Sequence, residues 1–222
     1  MNKIIVISAH PDDETLGVGG TLLKHKENGD DLYWLIVTNI STDQGYSKER
    51  VELRKKEIEI VESLYGFKKV FTLNYPTMSL TSGSLQTLIP KISKIFHEVQ
   101  PNILYTLNRS DAHSDHRFLS DAVMACTKSF RYPFLKKVLM YECISETEFA
   151  PSFFEKIFLP NYFIDISNYI DKKLEIMRVY ESELDVPPFP RSEDNIRSLA
   201  RFRGSTAGCH FAEAFQVVKI FE

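Results

Sequence analysis

No stretch of this 222-residue chain approaches the roughly 20 consecutive apolar residues that a membrane span requires. No integral membrane segment is therefore expected. Cysteine is scarce: Cys126, Cys143 and Cys209 stand far apart and form no CxxC pair. That odd, scattered set argues against a disulfide framework and against a thiolate zinc cluster. Basic residues are not in surplus either, since 27 Lys and Arg face 30 Asp and Glu, a formal net charge of −3. A general binder of nucleic-acid backbone needs the opposite balance, so no nucleic-acid partner is expected. The apolar run from Ile4 to Ala9 is too short for a signal-peptide core, and polar residues follow it at once. The expected location is the cytoplasm. Repeats, low-complexity tracts and linkers are also missing. What is present is an apolar fraction of 43%. A chain of this length buries roughly 70–75% of its unfolded surface, enough for a core without disulfides.

Hydrophobic periodicity divides the chain into alternating strands and helices. Ile4–Ser8, Asp31–Thr38, Val70–Leu73, Ile103–Leu107 and Lys137–Tyr141 read as strands. Between them, Glu14–Glu27, Ser47–Tyr65, Leu85–Val99 and Ser114–Cys126 read as helices, with Gly17, Gly19 and Gly20 allowing close packing at the start of the first. Strict alternation over about 140 residues implies a mainly parallel α/β sheet flanked by helices. Beyond it, Tyr162–Ile166 and Phe215–Ile220 read as strands, and Tyr169–Tyr180 and Ile196–Arg203 as helices. Val186–Pro190 reads as a rigid loop. The expectation is one domain over 1–222, with 143–210 forming a C-terminal cap. The aromatic stretch Phe149, Phe153, Phe154, Phe158, Tyr162 and Phe163 is expected to be cap core, with a lipid- or sugar-stacking wall as the alternative.

Two segments carry candidate chemistry. Ala9-His10-Pro11-Asp12-Asp13-Glu14 directly follows the first strand, and Asp111-Ala112-His113-Ser114-Asp115-His116-Arg117 follows the fourth. In a parallel sheet both lie at the carboxyl edge, where ligand crevices form. Ionisable side chains crowded beside an apolar strand need compensation, and a divalent metal bound by imidazole and carboxylate supplies it. One of two adjacent aspartates can ligate such a metal while the other serves as a general base. Each segment alone also fits a helix cap, with Asp12 or Asp13 capping the first helix and Ser114 or Asp115 the fourth. Parallel topology would bring the two together, which favours the metal reading.

The first segment, continued by Thr15-Leu16-Gly17 and Gly19-Gly20-Thr21-Leu22, resembles the signature of LmbE / PIG-L-type zinc-dependent N-deacetylases. His113-Ser114-Asp115-His116-Arg117 resembles that family's second motif, with Ser114 where the usual form has proline. Arg54 with Glu57, and the ending Gly204-Ser205-Thr206-Ala207-Gly208 with Ala212-Glu213-Ala214-Phe215, are similar to further family elements. The resemblance implies a Rossmann-like fold and assigns roles. His10, Asp13 and His116 would ligate Zn2+, or another divalent metal, leaving an open position. Asp12 would be the general base. His113 would be the positively charged partner that stabilises the oxyanion, or the acid that protonates the leaving amine, and Asp115 would support the ligands or cap its helix. Arg54 would contact substrate; as a residue of a helical Arg-Lys-Lys-Glu it also fits a solvated face. Some relatives use a tyrosine two positions before His113. Here that position is Asp111, and Tyr105 or another tyrosine would have to substitute.

The activity implied is removal of acetate from an N-acetylamino sugar, such as an N-acetylglucosamine glycoside, nucleotide-sugar or glycolipid. The rivals are another metal-dependent hydrolase, such as a phosphoesterase, and a non-catalytic sugar-binding protein. His25 and His97 are expected at the surface, Cys209 packed, and Glu213 at a pocket rim or exposed. A homo-oligomer is compatible with the sequence.

Overall fold

The computed structural model describes residues 1–151 and 153–221. Seven strands form one sheet: β1 (Lys3–Ser8), β2 (Asp31–Asn39), β3 (Lys69–Pro76), β4 (Ile103–Leu107), β5 (Lys137–Tyr141), β6 (Tyr162–Asp165) and β7 (Ala212–Ile220). Their order is β3-β2-β1-β4-β5-β7-β6. The first five run parallel, and β7 lies antiparallel between β5 and β6. Helices α1 (Asp13–Glu27), α2 (Lys48–Tyr65), α3 (Leu85–Val99) and α4 (Ser114–Ala125) link the parallel strands, and α5 (Ile170–Met177) and α6 (Glu193–Ala207) follow β6. This is the expected Rossmann-like α/β arrangement. β1 is uniformly apolar because it is covered on both faces: Ile4, Ile5, Val6 and Ile7 are all fully buried.

Strand order reverses at β1. From β1 the chain steps outward to β2 and β3, then returns to β4 on the other side of β1. The loops leaving β1 and β4 therefore diverge and open a crevice between them. Both candidate segments lie in these two loops.

α1 is seated tightly. A Cβ on Gly17 would stand 2.2 Å from Tyr141 Cδ2 and 2.9 Å from the Glu142 carbonyl, which is why glycine is needed there. Halfway along, the N–H groups of Gly20 and Thr21 donate to the Glu213 carboxylate at 2.9 and 2.7 Å. Lys173 Nζ completes the anchor at 2.7 Å from both Glu213 and the Leu16 carbonyl. Glu213 is thus neither exposed nor at a rim. It is buried, and breaking such an ion pair by removing one partner costs about 3–5 kcal/mol.

Other expectations change. His25 is not a surface residue: it bridges Asp30 at 2.7 Å and the Tyr105 hydroxyl at 2.9 Å, and burial lowers its pKa. That bond takes Tyr105 out of contention as a site tyrosine. His97 is exposed, stacked on Tyr132, and Cys209 is half-buried. Phe149, Phe153 and Phe154 are 64, 63 and 87% exposed and are not core. Between β5 and β6 the described chain forms only a 3-10 turn at Phe154–Lys156, too short to present one buried face. Ser152, inside that segment, and Glu222 lie outside the described residues. α6 extends beyond Ile196–Arg203 at both ends, because Ser192 caps it by accepting from the Asn195 N–H and Gly208 closes it at a φ of 74°. No helix among the described residues is long and apolar enough to cross a membrane.

Gly17→Ala is expected to lower unfolding stability by about 2–3 kcal/mol, read by urea denaturation. Gly83→Ala, whose new Cβ would meet only Thr81 Oγ1 at 3.5 Å, is the control and should change little.

Candidate metal centre

The loop after β1 is pinned by its backbone. Ala9 O accepts from the Thr38 N–H and hydroxyl at 2.8 and 2.7 Å. Pro11 O accepts from Arg54 Nη1 at 2.8 Å. Asp12 N–H donates to Glu14 Oε2 at 3.1 Å. Glu14 is fully buried, which pushes its pKa up to about 7, and it also accepts from the Thr15 and Tyr180 hydroxyls. Asp12 sits at a φ of 131°, a conformation that L residues avoid, and the surrounding bonds hold it there.

This geometry separates two neighbouring carboxylates. Asp13 turns inward and accepts the His10 N–H at 2.8 Å. Asp12 occupies the N-cap position of α1, yet its side chain makes no capping bond. Nor do Ser114 or Asp115 cap α4. His113 does, with Nδ1 accepting the Asp115 N–H at 3.1 Å. The cap readings of both segments fail for the expected residues.

The two loops meet. His10 Nδ1, Asp13 and His116 Nε2 bring one donor atom each to a common point. His116 Nε2 lies 3.4 Å from His10 Nδ1 and 3.4 Å from Asp13 Oδ1, and His10 Nδ1 lies 3.9 Å from Asp13 Oδ2. Tetrahedral zinc with donors at about 2.0–2.1 Å keeps them about 3.3–3.4 Å apart, so the donor set fits. Each imidazole is also held on its far side by a carboxylate. Asp111 Oδ2 is 2.9 Å from His116 Nδ1, and Asp115 Oδ2 is 3.2 Å from His10 Nε2. Such contacts fix the ring that faces a metal. Asp115 is itself fixed by the Met78 and Leu80 N–H groups at 2.7 and 2.9 Å. The cluster can coordinate a divalent cation.

The electrostatics agree. Burial alone would raise the Asp13 pKa, but His116 and His10 beside it hold it below the carboxylate range. Burial opposes charge on His116, but Asp13 and Asp111 raise its pKa well above normal, so their field favours positive charge there. Burial and Asp13 raise Asp12, against the pull of Arg191 and Arg54. Burial, with His10 and His116 close by, brings His113 down to about 4.

These groups line a cavity of about 290 Å³, with Arg54, Tyr46, Glu183 and Arg191 on its wall. Arg54 is no solvated helix residue. It is 6% exposed, with Nε 3.1 Å from Glu57 Oε2 and a second ion pair to Glu183. A larger hollow of about 430 Å³ adjoins the cavity at Cys143 but contains no histidine.

The sequence reading missed several site residues. Asp111 was visible five positions before His116. Cys143 stands two residues after β5, at the same carboxyl edge, and its thiol donates to Asp13 Oδ1 at 3.4 Å. Glu183 and Arg191 carried no local signal, because a loop distant in sequence delivers them.

The class of protein is a Rossmann-like α/β fold with a His/Asp cluster able to coordinate a divalent cation at its switch point. The family model PIG-L, described as GlcNAc-PI de-N-acetylase, matches residues 5–127, more than half of the chain. The chain belongs to this family. It is 25% identical over 225 residues to the diacetylchitobiose deacetylase of Thermococcus kodakarensis, covering 98% of this chain and 84% of that protein. It superposes on the N,N'-diacetylchitobiose deacetylase of Pyrococcus horikoshii at a TM-score of 0.76 with 25% identity, covering 98% and 84% of the two chains. It also superposes at 0.70, with 18% identity and coverage of 100% and 99%, on GalB, the 4-carboxy-2-hydroxymuconate hydratase of Pseudomonas putida, a likeness of fold. Family and cluster together support a metal-dependent deacetylase acting on an N-acetylamino sugar-like substrate.

Asp111→Asn is expected to weaken zinc binding about 10–100-fold, because His116 would lose the carboxylate that orients it. Competition with a chromophoric chelator measures this. Unchanged affinity would show that Asp111 serves only the fold.

Proposed function

We propose that this chain is a zinc-dependent N-deacetylase of an N-acetylglucosamine-containing glycoside, nucleotide-sugar or glycolipid. In this reading 1–222 forms one domain, and 143–210 builds the substrate side of the cavity. His10, Asp13 and His116 hold the metal, and Arg54 fixes the wall that meets the sugar. When bound, zinc supplies a Lewis acid for the acyl oxygen and lowers the pKa of water beside it.

The protein's own groups supply the rest. Asp12 accepts a proton from the attacking water as oxygen bonds to the acetyl carbon. It then passes the proton to the amide nitrogen as the C–N bond breaks, leaving acetate and the free amine. His113, which lines the cavity, spends Nδ1 on the Asp115 N–H, so a neutral ring carries its proton on Nε2. With its pKa held near 4, His113 acts as a neutral N–H donor to the developing oxyanion.

The observation that carries the reading is the split of the Asp12–Asp13 pair: one carboxylate joins two histidines, and its neighbour faces the same cavity without joining them. A phosphoesterase with two metals about 3.5–4 Å apart needs a second donor set. The second candidate group among the described residues, His10 with His113 and Asp115, shares His10 with the first.

Acetate and amine release from a panel of N-acetylglucosamine conjugates tests the proposal. Asp12→Asn should keep its zinc and lose about 10²–10⁴-fold in kcat. A variant as fast as wild type, or a wild-type protein that binds no stoichiometric metal, would refute it.

A further inference from the structure

The chain between α5 and α6 folds back over the metal cavity and delivers two residues to it. Glu183 comes from a 3-10 turn, Glu181–Glu183, and Arg191 directly precedes the Ser192 cap of α6. Arg191 Nη1 lies 3.4 Å from Asp12 Oδ2. Among the described residues no other side chain bonds to a carboxylate oxygen of Asp12. Arg191 Nη2 lies 3.3 Å from Glu183 Oε2, and the other oxygen of Glu183 pairs with Arg54. Arg54 in turn donates to Pro11 O. Glu183 therefore joins the guanidinium that holds the backbone of the β1 loop to the guanidinium that holds its carboxylate.

We infer that Arg191 is a positioning residue for the proton-accepting carboxylate of Asp12, an inference that rests on the deacetylase reading. Asp12 has no capping bond to fix its side chain, and it adjoins the cluster that binds the cation. A free carboxylate so placed is drawn to a dication as a further ligand, which would end its service as a base. Arg191 is a competing ionic partner for that carboxylate. A guanidinium suits this task because it keeps its proton at any working pH and has two prongs, one for Asp12 and one for Glu183. The Phe189 ring, with its centroid 5.5 Å from the guanidinium carbon, helps set its plane.

Steady-state kinetics on R191A, R191Q and D12N, with zinc content and thermal melting measured alongside, test this. R191A should stay folded and keep its zinc, lose about 100-fold in kcat through misplacement of the base, and change little in KM. Added guanidinium ion should restore part of the rate to R191A and none to D12N, a response that a merely structural role would not give. If R191A does not fold, the same measurements on R191Q decide. Wild-type kcat in the folded variant, a loss confined to KM, or no response to guanidinium would overturn the inference while leaving the deacetylase reading intact. No turnover by the wild-type enzyme would overturn both.

Discussion

Four aspartates, Asp12, Asp13, Asp111 and Asp115, are buried side by side in one crevice, and the site is organised around making that tolerable. Carboxylates in a poorly solvated space must be paired, protonated or bound to a cation. Asp13 and Asp111 flank His116, Asp115 takes His10 and two backbone N–H groups, and Asp12 is left to Arg191. The cluster of negative charge makes the crevice able to hold a divalent cation. In the proposed reaction this pairing sets the cation-facing Asp13 apart from Asp111 and Asp115, which hold the histidines, and from Asp12, which accepts the proton.

The fold serves this arrangement by fixing α1. Asp13 is the first residue of that helix, so any tilt of α1 moves a donor atom. Gly17 lets the helix settle against Tyr141, and the Lys173–Glu213 pair grips its middle from α5 and β7. The C-terminal part of the chain is thereby tied to the metal loop twice, once through α1 and once through Glu183 and Arg191. Fold alone does not select the reaction, since a hydratase shares the architecture. The reaction is argued from the donors, from the uncoordinated aspartate beside them and from the family to which the chain belongs.

Much of this was legible in the sequence because it is local. Ile4–Ile7 announce a strand covered on both faces, and the alternation through Tyr141 announces a parallel sheet. His10, Asp13 and His116 follow strands whose carboxyl ends converge. The misreadings share a cause. For Arg54 a solvated face stayed open beside the substrate contact because its own helix face is charged, while its partners, Pro11 and Glu183, lie 43 residues before it and 129 residues after it. His25 was misplaced because its helix is rich in lysine and glutamate, while Asp30 closes on it from just past the helix end and Tyr105 from β4, 80 positions away. Phe149, Phe153 and Phe154 looked like core because residue type suggests burial, yet no periodic element carries them inward.

The sequence by itself determined the strand and helix order, the two acid-and-histidine segments and the donor types open to a metal, since these depend on residues within a few positions of one another. The family resemblance already set Asp12 apart from the ligands; only the tertiary structure decided that Asp111 and Asp115 hold the two histidines, and that Arg191 reaches Asp12. Those outcomes depend on where the strand order reverses and on a loop about 180 positions from Asp12, and no local pattern encodes such distances.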